Sequence, residues 1–494
     1  MSELRATFLK YQLLPFQIIA TIAVLTVSDN PFFWDTIQLG SKHAHWYYEQ
    51  QFSQLLLPAE IDSGHPPLFG LYLAFCWTLF GKSLLVSHLA MLPFVWASVW
   101  AVFQLGKYYG TPQIAWLLLL IFFVDPTFAA QHVLVSPDVI VAAMFMLIWY
   151  AILHNLRLLQ IIAMVILALI SMRGMMIVAA LFIFDCWCDM QGLQERKHRV
   201  QKKFNLQYCT LVMIRKVFIY VPAGLAALAF LVFHYQQTGW IGYHADSSWA
   251  PSFAKVDFSG FIKNIAVLGW RLLDFGRVFV WIAVFIGIGI GWKKGKLSFF
   301  KQPRIYQLLL LGVILFLTLT PSLLLHKFLS AHRYLLPIMI WLNVLAYYLI
   351  VHVIENKKWK KILSGLVIAG LLTGNLWIYP KTFSQGWDST LAHLPHYELR
   401  AEVLQFLQQQ NISLAQVGTA FPEIGALKYK DLTERTEGML EKDLSQQQYV
   451  YFSNIMNDFS DTEIATLERK WQVIFCKKSG GVEAWIYQKE RSSD

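Results

Sequence analysis

Charged residues are scarce in this 494-residue chain: Asp, Glu, Lys and Arg make up 15% of it, whereas hydrophobic residues make up 56%. Soluble globular proteins carry about 25% charged residues, so a string of water-soluble domains is excluded. Disordered and coiled-coil chains are excluded too, because both are richer in charge. The mean hydropathy of +0.46 and the content of 36 Phe, 21 Tyr and 19 Trp predict a polytopic α-helical membrane protein.

Cysteine is also rare. The five cysteines lie mostly in apolar segments, and Cys186 and Cys188 are closer together than the usual zinc or redox spacing. The sequence therefore predicts neither a disulfide framework nor a metal knuckle. An internal repeat of roughly 20–50 residues is not visible either, which argues against solenoids and against inverted-repeat transporters.

The net charge of +10 is uneven along the chain. Residues 1–380 contain 29 Lys and Arg against 15 Asp and Glu, and residues 381–494 contain 12 against 16. A basic chain can bind nucleic acid, but the Lys and Arg of a membrane protein concentrate in its cytoplasmic loops. We therefore expect a lipid bilayer and no nucleic acid as partner.

Apolar segments that are long enough, or nearly so, to cross a bilayer number eleven. They are 11–27, 87–105, 113–124, 138–153, 158–171, 175–188, 217–235, 278–292, 305–325, 334–354 and 362–379. The first follows Arg5 and Lys10 and has no small-residue cleavage pattern after it, so we expect a retained span and not a signal peptide.

Segment 66–80 is apolar but short, and it begins with two prolines, so its position in the membrane is ambiguous. If it does not cross, 20 of the 29 Lys and Arg in residues 1–380 fall on the side of the N-terminus; if it does, 18 of these 20 change sides. Because Lys and Arg favour the cytoplasmic side, we predict that this segment lies along the outer face. The N-terminus is then cytoplasmic and the C-terminus periplasmic, in a multi-pass protein of a cell inner membrane.

Two domains are predicted from the charge change and from the end of the last apolar segment. Residues 1–380 form the transmembrane domain, whose first outer loop, residues 28–86, carries the candidate catalytic groups, and residues 381–494 form a small soluble α/β domain. In the second domain we expect helices at 397–410 and 461–471, strands at 417–421 and 449–453, and a hairpin at 473–488. No catalytic motif appears there, so its expected role is packing or positioning of an acceptor.

Acidic residues at the outer ends of the predicted spans are candidate functional groups, because charge held at a membrane boundary is costly. Asp35 follows Phe32-Phe33-Trp34, which would bury one side of its carboxyl group, raise its pKa and make it a better proton acceptor. Asp138 follows Ser136-Pro137 at the start of a span. For both residues, the alternative is a helix cap.

Cations on the predicted outer face are few, and Arg173 and Arg333 are the strongest candidates among them. A guanidinium is well shaped to bind a phosphate. The alternative for either residue is a side chain that extends toward lipid headgroups.

Several stretches carry a family resemblance. They are Asp35 soon after the first span, Gly64-His65-Pro66-Pro67-Leu68, Leu79-Phe80-Gly81-Lys82-Ser83, Ser136-Pro137-Asp138 and His332-Arg333-Tyr334-Leu335-Leu336-Pro337. Over about residues 12–340 the chain resembles the GT-C class of membrane glycosyltransferases. Within this class it is most similar to the protein O-mannosyltransferase-like family, which includes the aminoarabinose transferases of lipid A.

The resemblance implies an inverting glycosyltransferase that moves a sugar from a polyprenyl-phosphate donor to a hydroxyl acceptor on the outer face of the membrane. The acceptor class stays open between protein Ser/Thr, lipid and glycan. Asp35 would be the general base, and Asp138 would organise the acceptor or a metal. The donor phosphate would be bound by Arg173, Arg333, Tyr334 and Lys327, and the substrates would be contacted by Asp62, His65 and His332.

The chain also departs from the family. Many members have Asp-Glu at the first acid, whereas Asp35 is followed by Thr36, so a role given to that Glu has no bearer here. Metal use differs within the class, so the resemblance assigns no metal site and no certain cofactor, and it leaves a divalent metal open. The absence of a Gly-rich phosphate loop agrees with a donor that is not a nucleotide sugar.

The alternative function is a transporter or flippase of lipid-linked glycans. It would require ionisable residues deep within the spans, whereas here they cluster at the outer boundary. A non-enzymatic assembly factor that presents the C-terminal domain is a third hypothesis.

Overall fold

The computed structural model describes residues 11–200, 206–245, 250–327 and 331–490. Arg5 and Lys10, which help to orient the predicted spans, lie outside these ranges. Within them, helices occupy the chain from residue 14 to residue 374, and a mixed β-sheet lies in the C-terminal part.

The helical part contains sixteen α-helices within the described ranges. They are α1 (Leu14–Thr26), α2 (His43–Glu49), α3 (Leu68–Phe80), α4 (Leu84–Tyr109), α5 (Ala115–Val124), α6 (Pro126–Val133), α7 (Pro137–His154), α8 (Arg157–Ile170), α9 (Met172–Val200), α10 (Leu206–Thr238), α11 (Phe258–Leu273), α12 (Arg277–Gly295), α13 (Leu297–Phe300), α14 (Pro303–Leu325), α15 (Leu336–His352) and α16 (Lys357–Gly374). Each of the eleven predicted apolar segments coincides with one of these helices.

The length and apolar composition of several helices indicate a membrane-embedded protein. Six helices of the described residues are long and apolar enough to cross a bilayer, or seven if the bent pair α5 and α6 forms one span; these two helices meet at 73°. Helices α1, α3 and α8 are apolar but shorter. The count of eleven spans, the sides of the termini and the surface position of segment 66–80 stay predictions.

Helix α7 lies at the centre of the helical part. Every side chain from Pro137 to Trp149 is buried, because apolar residues cover all faces of this helix and none has to face water. Its N-terminus is fixed locally: Ser136 is the N-cap and accepts a hydrogen bond from the Asp138 N–H at 3.1 Å, and Pro137 opens the first turn. Asp138 is therefore held at the first turn of a buried helix.

The C-terminal part folds as a six-stranded sheet with three α-helices. The elements are α17 (Pro395–Gln409), β1 (Val417–Thr419), β2 (Gly425–Ala426), α18 (Lys428–Asp431), β3 (Gly438–Glu441), β4 (Tyr449–Ser453), α19 (Asp461–Lys470), β5 (Trp471–Ser479) and β6 (Val482–Lys489). The strand order is β2-β3-β1-β4-β6-β5, with β1 parallel to both β3 and β4 and the other neighbours antiparallel. The structure agrees with both predicted helices, both predicted strands and the hairpin; β2, β3 and α18 are additional.

The sheet and the helical part share buried contacts. Phe33 and Leu134 belong to the same hydrophobic core as the sheet residues. Two side chains of α6 reach the segment before α17: Gln131 donates to the Asp388 carbonyl at 2.8 Å, and Thr127 donates to the Ser389 carbonyl at 3.1 Å. The division into domains 1–380 and 381–494 stays a prediction, but the two parts share a hydrophobic core and hydrogen bonds.

Candidate functional site

Asp35 lies on a tight turn after α1. Thr36 closes this turn, since its hydroxyl accepts from the Phe33 N–H at 3.1 Å and donates to the Phe33 carbonyl at 2.7 Å. Trp34, directly before Asp35, has a φ of 58°, a left-handed conformation that costs a non-glycine residue free energy and is uncommon. The Phe33 ring stacks on His393 at 4.9 Å. The result is a carboxyl group with 5% exposure that faces Arg333.

Arg333 is the centre of the candidate site. It lies in a short 3₁₀ segment, His332–Leu335, directly before α15, and it is buried. Its Nη2 donates to Asp35 Oδ2; its Nε lies 3.0 Å from Asp388 Oδ2, and its Nη1 lies 3.6 Å from Asp138 Oδ2. Three aspartates from distant parts of the chain thus surround one guanidinium.

Arg173 is the second cation of the site. Its Nη1 donates to Asp138 Oδ1 at 2.9 Å and to the Arg333 carbonyl at 3.1 Å. The Tyr334 ring lies against both guanidinium groups, 4.4 Å from that of Arg173 and 5.1 Å from that of Arg333. The Arg173 side chain keeps 19% exposure, against 4% for Arg333, so Arg173 is the more accessible cation.

Three helix N-termini meet at this cluster. Asp138 is in the first turn of α7, Arg173 is the second residue of α9, and Arg333 directly precedes α15. Because a helix N-terminus carries partial positive charge, the arrangement offsets part of the charge of the three aspartates, which outnumber the two arginines. The site can stabilise a phosphate next to a set of carboxylates.

His65 adjoins the site, and Asp62 shapes the turn that holds it. The His65 Nδ1 accepts from the Met172 N–H at 3.5 Å, and burial, with Arg173 adding to the effect, lowers the pKa of His65 to about 4. Asp62 accepts from the Gly64 N–H at 2.7 Å and pairs with His234 Nε2 at 2.9 Å. His65 is therefore neutral near pH 7. Asp62 lies outside the carboxylate and guanidinium cluster, and the predicted substrate roles of both residues stay predictions.

His332 and Lys327 lie apart from the carboxylate and guanidinium cluster. His332 Nε2 is 2.8 Å from Asp274 Oδ2, and Tyr379 donates to the same carboxyl group. The Lys327 side chain is exposed, and its backbone N–H donates to the Ala254 carbonyl at 3.0 Å. The predicted substrate role of His332 and phosphate role of Lys327 gain no support from these contacts and stay predictions.

Asp388 is a site residue that sequence reasoning missed. It lies in a 3₁₀ turn, Trp387–Ser389, of the predicted C-terminal domain. Burial raises the pKa of Asp388 to about 6; Arg333 opposes this shift, and Asp35 and Asp138 add to it. A signal was present, because Trp387-Asp388 repeats the Trp34-Asp35 pattern of an acid directly after a large aromatic residue.

The donor set of the site does not fit a metal ion. Among the described residues, no group of three or more His, Cys, Asp or Glu side chains is arranged to hold one. Asp35, Asp138 and Asp388 do converge, but the Arg333 guanidinium lies between them. A divalent cation and a guanidinium cannot share that position, since both need the same carboxylate oxygens.

Comparison with known proteins gives a structural match only. No protein-family model matches the chain, and no curated protein matches it. Among solved structures, the chain is similar to ArnT from Cupriavidus metallidurans bound to undecaprenyl phosphate, with a TM-score of 0.52 and 11% identity over 97% of this chain and 98% of that one. ArnT from the same organism in the apo state matches over the same shares, with 12% identity and a TM-score of 0.46. The first match shows a shared fold, the GT-C fold that the sequence resemblance predicted.

Proposed function

We propose that the protein is an inverting membrane glycosyltransferase that transfers a sugar from a polyprenyl-phosphate donor to a hydroxyl acceptor. One observation carries the proposal: Asp35, Asp138, Arg173 and Arg333, which come from four distant stretches, form one buried cluster. The fold that the chain shares with ArnT, which was solved with undecaprenyl phosphate bound, supports this class of donor. The proposal leaves the donor sugar open, including whether it is a hexose such as mannose. It also leaves open whether the acceptor hydroxyl belongs to a protein Ser/Thr, a lipid or a glycan.

The proposed reaction is a single displacement at the anomeric carbon. The acceptor oxygen bonds to this carbon while the bond to the donor phosphate oxygen breaks, and the bonding electron pair leaves with the polyprenyl phosphate. The acceptor proton passes to the Asp35 carboxylate, which acts as general base. Since the acceptor attacks the face opposite the phosphate, the configuration of the anomeric centre inverts.

Arg173 is the preferred ligand for the leaving phosphate. Both of its hydrogen bonds use Nη1, and its side chain is partly exposed. Arg333, in contrast, directs its three nitrogens toward three aspartates. A cation fixed beside the developing negative charge lowers the barrier, because it needs no reorganisation during the reaction. Arg333 then acts on the phosphate at longer range, and Tyr334 supports both guanidinium groups.

The test is the D35N variant in cells. Mass spectrometry of glycolipids and glycoproteins, with and without the protein, identifies the product whose sugar depends on it. We expect D35N to lose about 100-fold or more of that product, because the general base is removed, while its thermal stability stays close to that of the wild type.

D29N is the matched control for this test, because Asp29 is an exposed acid of the same outer loop; it should retain full activity. Full activity of correctly inserted D35N would overturn the assignment. The mass shift also decides between protein, lipid and glycan acceptors.

Transport or flipping of lipid-linked glycans remains the alternative, and no contact among the described residues favours it. Buried charges inside the helices, such as Asp185 and Lys216, are paired with each other. Reconstituted vesicles separate the two functions: movement of a lipid-linked glycan without any covalent product would replace the proposal.

The proposal also places the chain in a cell inner membrane, with the N-terminus cytoplasmic and the C-terminus periplasmic. A reporter enzyme that is active only in the periplasm, fused after residue 494, should be active. An inactive but intact fusion would reverse the orientation.

A further inference from the structure

The three aspartates around Arg333 form an unusually charged buried cluster. The side chains of Asp35, Asp138 and Asp388 keep 7%, 3% and 3% exposure, and that of Arg333 keeps 4%. A buried carboxylate is costly unless a charge or hydrogen-bond donors compensate it. Among the described residues, Arg173 and Arg333 are the cations that face these three acids, so the cluster depends on the position of each guanidinium.

The planar guanidinium of Arg333 faces a different acid with each of its nitrogens. Nη2 meets Asp35, Nη1 faces Asp138, and Nε faces Asp388. The Nε and Asp388 Oδ2 atoms are both buried, and neither makes a hydrogen bond in the described residues, so their attraction across 3.0 Å is coulombic. The guanidinium is planar and has N–H donors on every edge, so it can bridge several carboxylates. In other proteins a bound divalent cation bridges carboxylates in this way.

Asp388 is itself held firmly. The Ser389 hydroxyl donates to Asp388 Oδ1 at 3.1 Å, and Gln131 of α6 donates to the Asp388 carbonyl at 2.8 Å. Thr127 of the same helix donates to the Ser389 carbonyl at 3.1 Å. The acid therefore has a fixed place against the membrane helices, although it belongs to the predicted C-terminal domain.

We propose that Arg333 is the resident cation of this site, in the place where a divalent metal would otherwise bridge the three aspartates, and that Asp388 is the positioning residue that sets its orientation. Asp388 fixes the Nε edge of the guanidinium, and this directs the two Nη atoms toward Asp35 and Asp138. The effects expected on sugar transfer rest on the proposed function, whereas the metal-binding test below does not.

The first experiment asks whether removal of the guanidinium creates a metal site. In R333A the three aspartates remain without their bridging cation, and carboxylate oxygens are the ligands that Mn²⁺ and Mg²⁺ prefer. Electron paramagnetic resonance of Mn²⁺ titrated into full-length protein, in nanodiscs of zwitterionic lipid, should detect one added site in R333A that is absent from the wild type. The site should disappear in R333A/D388N.

Two results would overturn the resident-cation proposal. One is a Mn²⁺ site in the wild type that D388N weakens, and the other is a folded R333A protein that gains no site. R333Q, which keeps more of the side-chain volume, replaces R333A if the latter does not fold. Wild-type transfer should also be unchanged by EDTA; loss of activity with EDTA and its return with Mn²⁺ would equally contradict the proposal.

The second experiment tests the positioning role of Asp388. In D388N, kcat should fall about tenfold or more, because an ion pair that orients the cluster is lost, while KM for the donor changes less than about twofold. D388E should recover part of kcat. D461N, at an exposed acid of the same domain, is the control and should match the wild type.

The positioning role would be contradicted if D388N raised KM about tenfold and left kcat unchanged, or if D388N kept full activity. If the wild type transfers no sugar at all, the proposed function fails, yet the Mn²⁺ titration still decides whether Arg333 takes the place of a metal.

Discussion

Asp388 differs from an ordinary surface aspartate because its protonation falls close to physiological pH. Burial raises its pKa to about 6 from an ordinary value of 3.8. The charged groups that face it are Arg333, Asp35 and Asp138, and Ser389 donates to it. His65 of the neighbouring turn has its pKa lowered to about 4, so it does not titrate in the same range.

The first prediction concerns the pH dependence of transfer. As pH falls through about 6, Asp388 binds a proton and loses its attraction for the Arg333 Nε, so kcat should fall. D388N should lack this acidic limb between about pH 5 and 7 and should be uniformly slow there. A pH profile of kcat for both proteins checks this, and an unchanged acidic limb in D388N would contradict it.

The stability of the folded protein should change with pH in the opposite direction. Because the folded-state pKa of Asp388 is raised, protonation favours the folded state: this contribution is complete below about pH 3.8 and is lost as pH rises through about 6. The melting temperature of the wild type relative to D388N should therefore decrease across that interval. Ionisation of the Asp388 carboxyl group should therefore raise activity and lower the stability of the folded protein as pH increases.

The sequence singles out candidate residues where the predicted membrane boundary gives a local signal, and the roles assigned to these residues stay predictions. Asp35, Asp138, Arg173 and Arg333 all lie at the outer ends of predicted spans, and they meet in one cluster. Asp388 lies in the segment between α16 and α17, and tertiary contacts with α6 and with Arg333 hold it at the site. A sequence pattern specifies where a helix ends, but not how the segment after it turns.

Among the helices, α8, α9 and α10 are joined by a second buried ionic cluster. Lys216 pairs with Asp185, and both are nearly fully buried. Gln160 donates to the other oxygen of Asp185 at 2.9 Å, and Arg157 lies 3.6 Å from it. Because lipid tails are as apolar as the helices, the hydrophobic effect gives little drive for helix association in a membrane, and a buried polar contact of this kind adds specificity to the packing.

K216M should destabilise this helix packing. The substitution leaves the buried Asp185 without its main partner, and breaking a buried pair in this way costs about 3–5 kcal/mol. Lys216 also lies 3.0 Å from the half-buried Asp189. The double variant D185N/K216M removes the two buried charges and should recover most of that loss. Thermal unfolding in detergent measures all three proteins.

K293M is the control for this prediction, because Lys293 is exposed near the C-terminal end of α12; it should change stability by less than about 0.5 kcal/mol. A double variant as unstable as K216M would show that the lost lysine acts through packing and not through its charge.

At the scale of the whole molecule, residues of the helical part contribute to the hydrophobic core of the sheet. Phe33 is buried in the core of the sheet and packs against His393, His396 and Tyr397. Trp34 contacts Phe421 at 5.3 Å. The two residues before Asp35 are therefore held by the C-terminal part, while Asp35 itself faces Arg333.

F33A should uncouple the two parts. Loss of a buried phenylalanine costs about 3–5 kcal/mol, and here the loss falls on the contact that holds the Asp35 turn. We expect reduced transfer and faster hydrogen exchange in α17, with exchange in α7 unchanged. F383A is the control, because Phe383 is 57% exposed; wild-type activity of F33A would contradict the coupling.

The general architecture could be predicted from the sequence, but the contact between its parts could not. The eleven apolar segments became helices, and the predicted strands of the C-terminal part formed, because both depend on local periodicity. The number of helices that cross the membrane is harder to predict, since short apolar helices such as α1, α3 and α8 have the same composition as membrane spans. Phe33 packs into the core of a sheet whose residues lie far later in the chain, and no local sequence pattern around Phe33 indicates this insertion.

This insertion also sets the order in which the protein matures during synthesis. The Asp35 turn leaves the ribosome long before the residues that hold it, because His393, His396 and Phe421 lie much further along the chain. Until they arrive, Phe33 has no core to enter, and Arg333 lacks Asp388. A chain interrupted after α16 would thus contain the membrane helices but not the complete cluster, so under the proposed function it should transfer no sugar.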